Sequence, residues 1–106
     1  MNGRLVVKRY VRALMETADE KGKTAIVESD MQTLDRILNE APSIRQFCLK
    51  PDSKRSTELE FVKTAFVPYL GEYTGRTIVA AVENGRLACI PFFPAAFRLR
   101  LEELGD

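Results

Sequence analysis

The feature that most restricts the fold of this chain is an apolar, alanine-rich run that stops at Asn84-Gly85 and then resumes. The run Thr77-Ile-Val-Ala-Ala-Val leads into Glu83-Asn-Gly-Arg-Leu87. Glycine adopts a left-handed backbone without the steric cost of a Cβ, and it is common just past a helix C-terminus. The pattern therefore predicts a buried helix that ends at Gly85, followed by the start of another helix.

Apolar residues recur at spacings of three and four along the chain, which is the period of an amphipathic helix. The predicted core faces are Val7, Val11, Leu14 and Ala18 on the first helix, Val27, Met31, Leu34 and Leu38 on the second, widened by Ile26 and Ile37, and Phe93, Phe97, Leu101 and Leu104 on the sixth. No stretch shows sustained strand alternation. Six helices are predicted, over Arg4 to about Asp19, Thr24–Glu40, Pro42–Leu49, Thr57 to about Val67, Glu72–Asn84, and Cys89 or Ile90 to Leu104. We therefore expect an all-α fold, a compact six-helix bundle in which residues 1–106 form a single domain.

Several helix ends follow from local sequence. Thr24 and Ser56 are the predicted N-caps of the second and fourth helices, because a hydroxyl can accept a hydrogen bond from a free amide of the first turn. Pro91 and Pro94 fit one helix only if both lie in its first turn, where amide hydrogens lack partners. This predicts that the sixth helix begins near Ile90-Pro91.

The composition is that of an ordinary globular protein. Hydrophobic residues make up 45% and charged residues 29% of the 106 residues, and the formal net charge is +1. A balance so near neutral does not favour binding to nucleic acid. No apolar run reaches the length that spans a bilayer, and no signal peptide precedes the first helix, so we expect no membrane insertion and a bacterial-type cytosolic protein.

Residues that could carry chemistry are few. The chain has no histidine, which removes the commonest general base and metal ligand. Cys48 and Cys89 lie in apolar contexts and are predicted to be buried free thiols. Gly71 and Gly75 lack the Gly-Lys-Ser/Thr sequel of a phosphate-binding loop. We expect no catalytic residue, no cofactor and no metal site.

The fifth helix has a face of small residues, and the first helix has a second stripe beside its core stripe. The small-residue face comprises Thr77, Ala80, Ala81 and Asn84, and the stripe comprises Val6, Tyr10, Ala13 and Thr17. Small residues let another helix approach closely. One interpretation is tight packing within the bundle, and the other is a groove between these helices that accepts a partner's amphipathic helix.

Basic residues cluster on the first helix. Arg4, Lys8, Arg9 and Arg12 are spaced by four, one and three, so they share one side of the helix. Such a cluster is either a solvated face or a contact for RNA or another anion. A small helical RNA- or anion-binding module is therefore the alternative function.

Three short motifs resemble one known family. Arg9-Tyr10-Val-Arg-Ala13-Leu14 is similar to the opening of the ATP synthase delta subunit, the bacterial relative of mitochondrial OSCP. Leu49-Lys-Pro is similar to a loop of that family. Glu83-Asn84-Gly85-Arg86-Leu87, followed by Pro91 and Phe97, is similar to its Glu-Asn-Gly-Arg-Leu…Pro…Phe pattern. The order and spacing of these motifs extend over the whole chain.

The resemblance implies a non-catalytic stator domain of six helices on the catalytic head of F-type ATP synthase. In that family the domain binds the N-terminal helix of an alpha subunit between its first and fifth helices. Tyr10 and Ala13 match the contact positions on the first helix, and Ala80 matches a small position on the fifth. Extension by helical spacing adds Val6, Thr17, Thr77 and Asn84, and Ala81 of the small-residue face completes the expected partner-binding residues.

The resemblance also implies partners and a location. Family members usually carry a second domain that meets the b subunits of the stalk. We expect that this chain is either a truncated form without that domain or a single-domain relative, and we favour the truncated form. The expected location is the cytoplasmic face of the bacterial inner membrane, as a peripheral part of the ATP synthase. Pro94 and the Phe92-Phe93 pair depart from the family pattern near the start of the sixth helix.

Overall fold

A computed structural model describes residues 3–50 and 52–105, and within these ranges the chain forms helices and no strands. The helices are α1 Gly3–Lys21, α2 Thr24–Glu40, α3 Pro42–Leu49, α4 Arg55–Ala65, α5 Glu72–Glu83 and α6 Phe93–Leu104. Two 3-10 segments, Val67–Tyr69 and Leu87–Phe92, precede α5 and α6. The all-α prediction of six helices is confirmed. None of the described helices is both long and apolar enough to cross a membrane.

One hydrophobic core receives side chains from all six helices. The predicted core stripes of α1 and α2 are confirmed, and they comprise Val7, Val11, Leu14, Ala18, Val27, Met31, Leu34 and Leu38. Burying side chains of this size contributes about 1.5–3 kcal/mol each. Two positions predicted to extend the apolar faces, Ile26 and Leu104, are instead 47% and 58% exposed. Ile26 lies at the edge of the α2 stripe and Leu104 in the last turn of α6.

Two predicted N-caps are wrong. Thr24 is the first residue of α2 and Lys23 is at the cap, while the Thr24 hydroxyl donates to Asp19 Oδ1 at 2.6 Å. That bond joins α1 to α2 across Gly22. Ser56 lies inside α4, which begins two residues earlier than predicted, after Lys54. The helix also ends earlier, at Ala65, because the proline-bearing 3-10 turn follows at once.

The connection into α6 also differs from the prediction. Gly85 has a φ of +75°, so the glycine stop after α5 is confirmed. The apolar run that follows forms a 3-10 segment containing Pro91, and regular α-helix begins only at Phe93. Pro94 then occupies the first turn of α6, where its missing N–H leaves no helical hydrogen bond unmade. The two prolines therefore lie in different elements. Pro51, from the Leu49-Lys-Pro motif, is outside the described residues.

Candidate functional site

The predicted partner-binding residues lie on two helices that pack against each other, α1 and α5. Ala13 and Asn84 are exposed, and the other side chains on this surface that are partly accessible are Tyr10, Thr17, Thr77 and Ala80. We call these six residues, together with Val6, the α1–α5 face. The structure therefore brings the two predicted stripes side by side.

Ala81 does not belong to the α1–α5 face. It is 0% exposed and lies in the hydrophobic core, so it presents no surface to a partner. The physical reason is packing, because the side of α5 that carries Ile78 and Val82, both fully buried, is pressed into the core and takes Ala81 with it. Its small side chain belongs to the interior packing of α5. Val6 is also largely buried, at 5% exposed, but it lines a surface cavity.

A hydrogen bond between side chains joins the two helices of this face. The Asn84 amide nitrogen Nδ2 donates to Tyr10 Oη at 2.9 Å, across 74 residues of sequence. The Tyr10 ring also lies 6.1 Å from the ring of Phe93, at the start of α6. Tyr10 thus contacts both the end of α5 and the start of α6, and it holds α1 against the turn that follows α5.

A shallow cavity of about 240 Å³ opens beside Tyr10. Its lining comprises Val6, Arg9, Tyr10, Ala13 and Arg86. The lining surface is almost entirely apolar, and two of the five described lining residues are arginines. Such a cavity can accept an apolar side chain, with a carboxylate placed beside the arginines.

Thr77 has a polar group that is already satisfied within its own helix. Its hydroxyl donates to the carbonyl oxygen of Tyr73 at 2.9 Å, one helical turn earlier. A threonine that bonds back to its own helix needs no further hydrogen-bond partner. Thr77 can therefore face an apolar surface without leaving an unpaired hydroxyl.

The position of α5 depends on a residue that the sequence analysis did not single out, Asp30 of α2. Asp30 is 6% exposed, and its carboxylate oxygens lie 3.0 and 3.1 Å from the Gly71 amide nitrogen, which donates to them. The Thr74 hydroxyl donates to Asp30 Oδ2 at 2.6 Å. Asp30 therefore caps the N-terminus of α5 from another helix. The available signal was an acid three residues after Val27 and four before Leu34, on an apolar stripe.

The C-terminal end of α5 is held by another residue distant in sequence. Arg55 Nη1, at the start of α4, donates to the carbonyl oxygen of Glu83. Arg55 Nε also lies 3.9 Å from Glu58 Oε1, and Glu58 is only 5% exposed. A Cβ added to Gly85 would lie 3.2 Å from Arg55 Nη2. The corner after α5 is thus shaped both by its glycine and by the arginine packed on it.

The two thiols are not activated nucleophiles. Burial raises the pKa of the Cys48 thiol from 9.0 to about 12, against a smaller lowering by Arg45. Burial also raises the pKa of Cys89, which is only partly buried, against the effect of Arg86. Since the thiolate is the reactive form, both shifts reduce reactivity. In residues 3–50 and 52–105 no three side chains of His, Cys, Asp or Glu are grouped so as to hold a metal ion.

Comparison with known proteins gives one consistent result. The family model described as ATP synthase delta (OSCP) subunit matches residues 6–105. The chain is 31% identical over 101 residues to "ATP synthase subunit delta" of Exiguobacterium sp. (strain ATCC BAA-1283 / AT1b), covering 92% of this chain and 54% of that protein. The subunit delta of Shouchella clausii (strain KSM-K16) is 27% identical over 86 residues, covering 81% and 48%.

A plastid protein is similar as well. "ATP synthase delta chain, chloroplastic" of Chlamydomonas reinhardtii is 30% identical over 90 residues, covering 81% of this chain and 40% of that protein. The chain therefore spans about half the length of the curated relatives it matches.

Proposed function

This chain belongs to the ATP synthase delta (OSCP) subunit family, and we propose that it acts as a non-catalytic part of the peripheral stalk of an F-type ATP synthase. In this role its α1–α5 face binds the N-terminal helix of an alpha subunit. The contact links the catalytic head to the stalk, which must resist the torque of the rotor during proton-driven ATP synthesis.

The observation that carries the proposal is the pairing of α1 with α5 through Tyr10 and Asn84. Their hydrogen bond lies beside a surface formed by Ala13, Thr17, Thr77 and Ala80, none of which is fully buried. Side chains this small leave room for a helix to approach the backbones of α1 and α5 closely. An amphipathic helix laid in a groove is a recurrent mode of peptide recognition.

The charges around the face indicate the chemistry of the partner helix. Arg9 and Arg86 line the small cavity next to Tyr10 and Ala13. A complementary helix would insert an apolar side chain over Val6 and Ala13 and carry an acidic residue one turn away. Rim charges of this kind contribute more to orientation and association rate than to affinity.

Calorimetric titration of the chain with a peptide copying the N-terminus of the alpha subunit from the same organism tests this function. We expect binding at micromolar concentration, about −8 kcal/mol. The variant Ala80→Arg should abolish it, because a long cationic side chain would fill the space that the helix needs. Ala25→Arg, at an exposed alanine of α2, is the matched control and should bind like the wild type.

Far-ultraviolet circular dichroism distinguishes a lost contact from a lost fold. Ala80→Arg should retain the helical spectrum of the wild type. Parallel loss of helicity and binding would mean that Ala80 serves the core of the bundle. Absence of binding by the wild-type chain would reject the alpha-subunit helix as the partner.

Two further proposals concern the assembly around this domain. The b subunits of the stalk would be met through the second domain that longer family members carry. We also propose that the chain is located peripherally at the cytoplasmic face of the bacterial inner membrane. The similar proteins include bacterial and chloroplast ones, so the membrane in question depends on the source of the chain.

The RNA- or anion-binding module stays an alternative prediction. Arg4, Lys8, Arg9 and Arg12 are all exposed on α1, and Arg12 forms an ion pair with Glu16 at 3.0 Å. RNA binding whose affinity falls steeply with salt concentration would support this alternative.

A further inference from the structure

A larger concave surface lies on the other flank of α1, away from the α1–α5 face. Two adjoining cavities of about 640 and 270 Å³ run between α1, the 3-10 segment Leu87–Phe92 and α6, and they share Lys8, Ala96 and Leu99. We call this surface the α1–α6 trough. Its described lining also includes Arg4, Val7, Arg12, Cys89, Phe92 and Arg100.

The side of the trough formed by the 3-10 segment and α6 exposes large apolar side chains. Phe92 is 53% exposed and Leu99 is 46% exposed. They lie beside the small residues Ala95 and Ala96, so this side of the trough has large apolar side chains next to small ones. Contiguous apolar surface of this kind marks an interaction site more often than isolated exposed leucines do.

The side of the trough formed by α1 is cationic. Arg4, Lys8 and Arg12 follow one another at four-residue spacing, which sets them in a row about 12 Å long on one side of α1. Arg100 also lines the trough, as does Arg9, which lies between the trough and the cavity beside Tyr10. The nearby carboxylates are Glu103, a lining residue, and Glu16, which is paired with Arg12 at 3.0 Å. The trough thus combines an apolar side with a positively charged side.

Arg100 supplies the second, independent observation. Its Nε is buried and has no hydrogen-bond acceptor among residues 3–50 and 52–105. A buried donor on a charged group is costly to leave unpaired. Arg100 is one of the lining residues, so a partner carboxylate that enters the trough beside it would pair with its charge.

We propose that the α1–α6 trough binds an acidic amphipathic helix, a site separate from the α1–α5 face. The partner's apolar stripe lies against Phe92, Ala96 and Leu99. Its Asp or Glu residues, repeated every three or four positions, pair with the row at Arg4, Lys8 and Arg12, and one of them reaches Arg100. The spacing of the cations matches the period of a helix.

A helix fits these features better than an anionic membrane surface does. The apolar residues line a concavity between two helices, whereas a bilayer meets a convex or flat amphipathic face. Arg100 lines the same concavity, beside Glu103 of α6.

The test uses three synthetic peptides of about 18 residues, roughly five helical turns. Each has the same stripe of leucine and alanine, flanked by glutamate in the first, glutamine in the second and lysine in the third. The readout is the rate at which iodoacetamide alkylates Cys89, which lines the trough, followed by mass spectrometry. Cys48, 0% exposed in the core, should stay unmodified, which shows that the chain remains folded during the reaction.

We expect the glutamate peptide to slow Cys89 alkylation about tenfold, the glutamine peptide to protect much less, and the lysine peptide not to protect at all. Protection should weaken as salt is added. Leu99→Glu and Lys8→Glu should each abolish it. The matched controls Leu49→Glu, at a leucine that is 43% exposed outside the trough, and Lys63→Glu, at an exposed lysine of α4, should leave it unchanged.

Equal protection by all three peptides, or protection by none, would overturn the proposal. Co-sedimentation of the chain with phosphatidylglycerol vesicles, lost in Lys8→Glu, combined with no peptide protection would assign the trough to a membrane instead. Ala80→Arg should retain Cys89 protection, so failure of the alpha-subunit peptide to bind and failure of this inference are distinguishable.

Discussion

The carboxylate of Asp30 accepts a 2.6 Å hydrogen bond from the hydroxyl of Thr74, and both groups are buried. The same carboxylate accepts the Gly71 amide hydrogen. Thr74 lies in the first turn of α5 and Asp30 in the middle of α2, so one helix is capped by another. The cap determines where α5 begins, and α5 supplies half of the face that we propose for the alpha-subunit helix.

Removing the Asp30 carboxylate should destabilise the fold. Asp30→Ala leaves the Gly71 amide and the Thr74 hydroxyl without their acceptor, and we expect a loss of about 2–3 kcal/mol in the free energy of unfolding. Asp30→Asn keeps one oxygen acceptor and should lose about 1 kcal/mol. Urea unfolding followed by circular dichroism measures both.

Asp35→Ala is the control for this pair. Asp35 is partly buried on the same helix, and its carboxylate forms no hydrogen bond or ion pair with a side chain or backbone group of residues 3–50 and 52–105. Its replacement should change the free energy of unfolding by no more than about 0.5 kcal/mol. If Asp30→Ala were as mild as Asp35→Ala, the cap would contribute nothing to stability.

Gly85 should resist replacement because of its backbone. At a φ of +75° a Cβ is strained, and it would also lie 3.2 Å from Arg55 Nη2. We expect Gly85→Ala to lower the free energy of unfolding by about 1–2 kcal/mol, and Gly85→Asn by less, since asparagine tolerates this conformation better.

Gly3→Ala provides the comparison for Gly85. Gly3 lies in the first turn of α1, where an added Cβ would meet nothing within 4 Å. Alanine there should be neutral or slightly stabilising, by up to about 1 kcal/mol. Thermal unfolding of the two variants side by side gives the contrast, and equal shifts would contradict a special role for the Gly85 conformation.

Because the Cys48 thiol ionises less readily in the folded chain than in the unfolded chain, it should lower the free energy of unfolding in alkaline solution. Its pKa in the folded chain is about 12, raised by burial from 9.0. Between these values the unfolded chain loses the thiol proton while the folded chain keeps it, so the unfolded state binds fewer protons. The free energy of unfolding contributed by this group is therefore complete below about pH 9 and is lost as the pH rises toward 12.

Cys48→Ala isolates that contribution from other groups that titrate at high pH. Urea unfolding at about pH 8 and about pH 10.5 should show a smaller alkaline loss in Cys48→Ala than in the wild type. Cys89→Ala should behave more like the wild type, because that thiol is less buried. Parallel pH dependence in all three proteins would mean that Cys48 ionises freely when folded.

Local sequence determined the helices and the side of each helix that faces the core. The stripes of α1 and α2 and the stop at Gly85 could be predicted because spacing and backbone freedom are properties of neighbouring residues. The same reasoning failed at Thr24, Ser56 and the start of α6. The Thr24 hydroxyl bonds to Asp19 instead of capping α2, α4 begins before Ser56, and a 3-10 segment takes the place of the predicted first turn of α6.

The candidate site shows the same division. Helical spacing indicated a stripe through Tyr10 and Ala13 and a small-residue face through Ala80, and the family resemblance joined them into one prospective surface. Ala81 was assigned to that surface as well. Only packing decided that Ala81 is buried. Whether a small residue is a contact or a core position depends on what lies against it, and that neighbour comes from elsewhere in the chain.

Tertiary structure alone decided the contacts that hold the Asn84-Gly85 corner. The sequence contains Gly85 just after the end of α5, and a positive φ at that position could be predicted from the glycine alone. The bonds from Arg55 to Glu83 and from Asn84 to Tyr10 join residues 28 and 74 positions apart. No periodicity predicts such pairs, because they form only after separate helices have buried their apolar faces against one core.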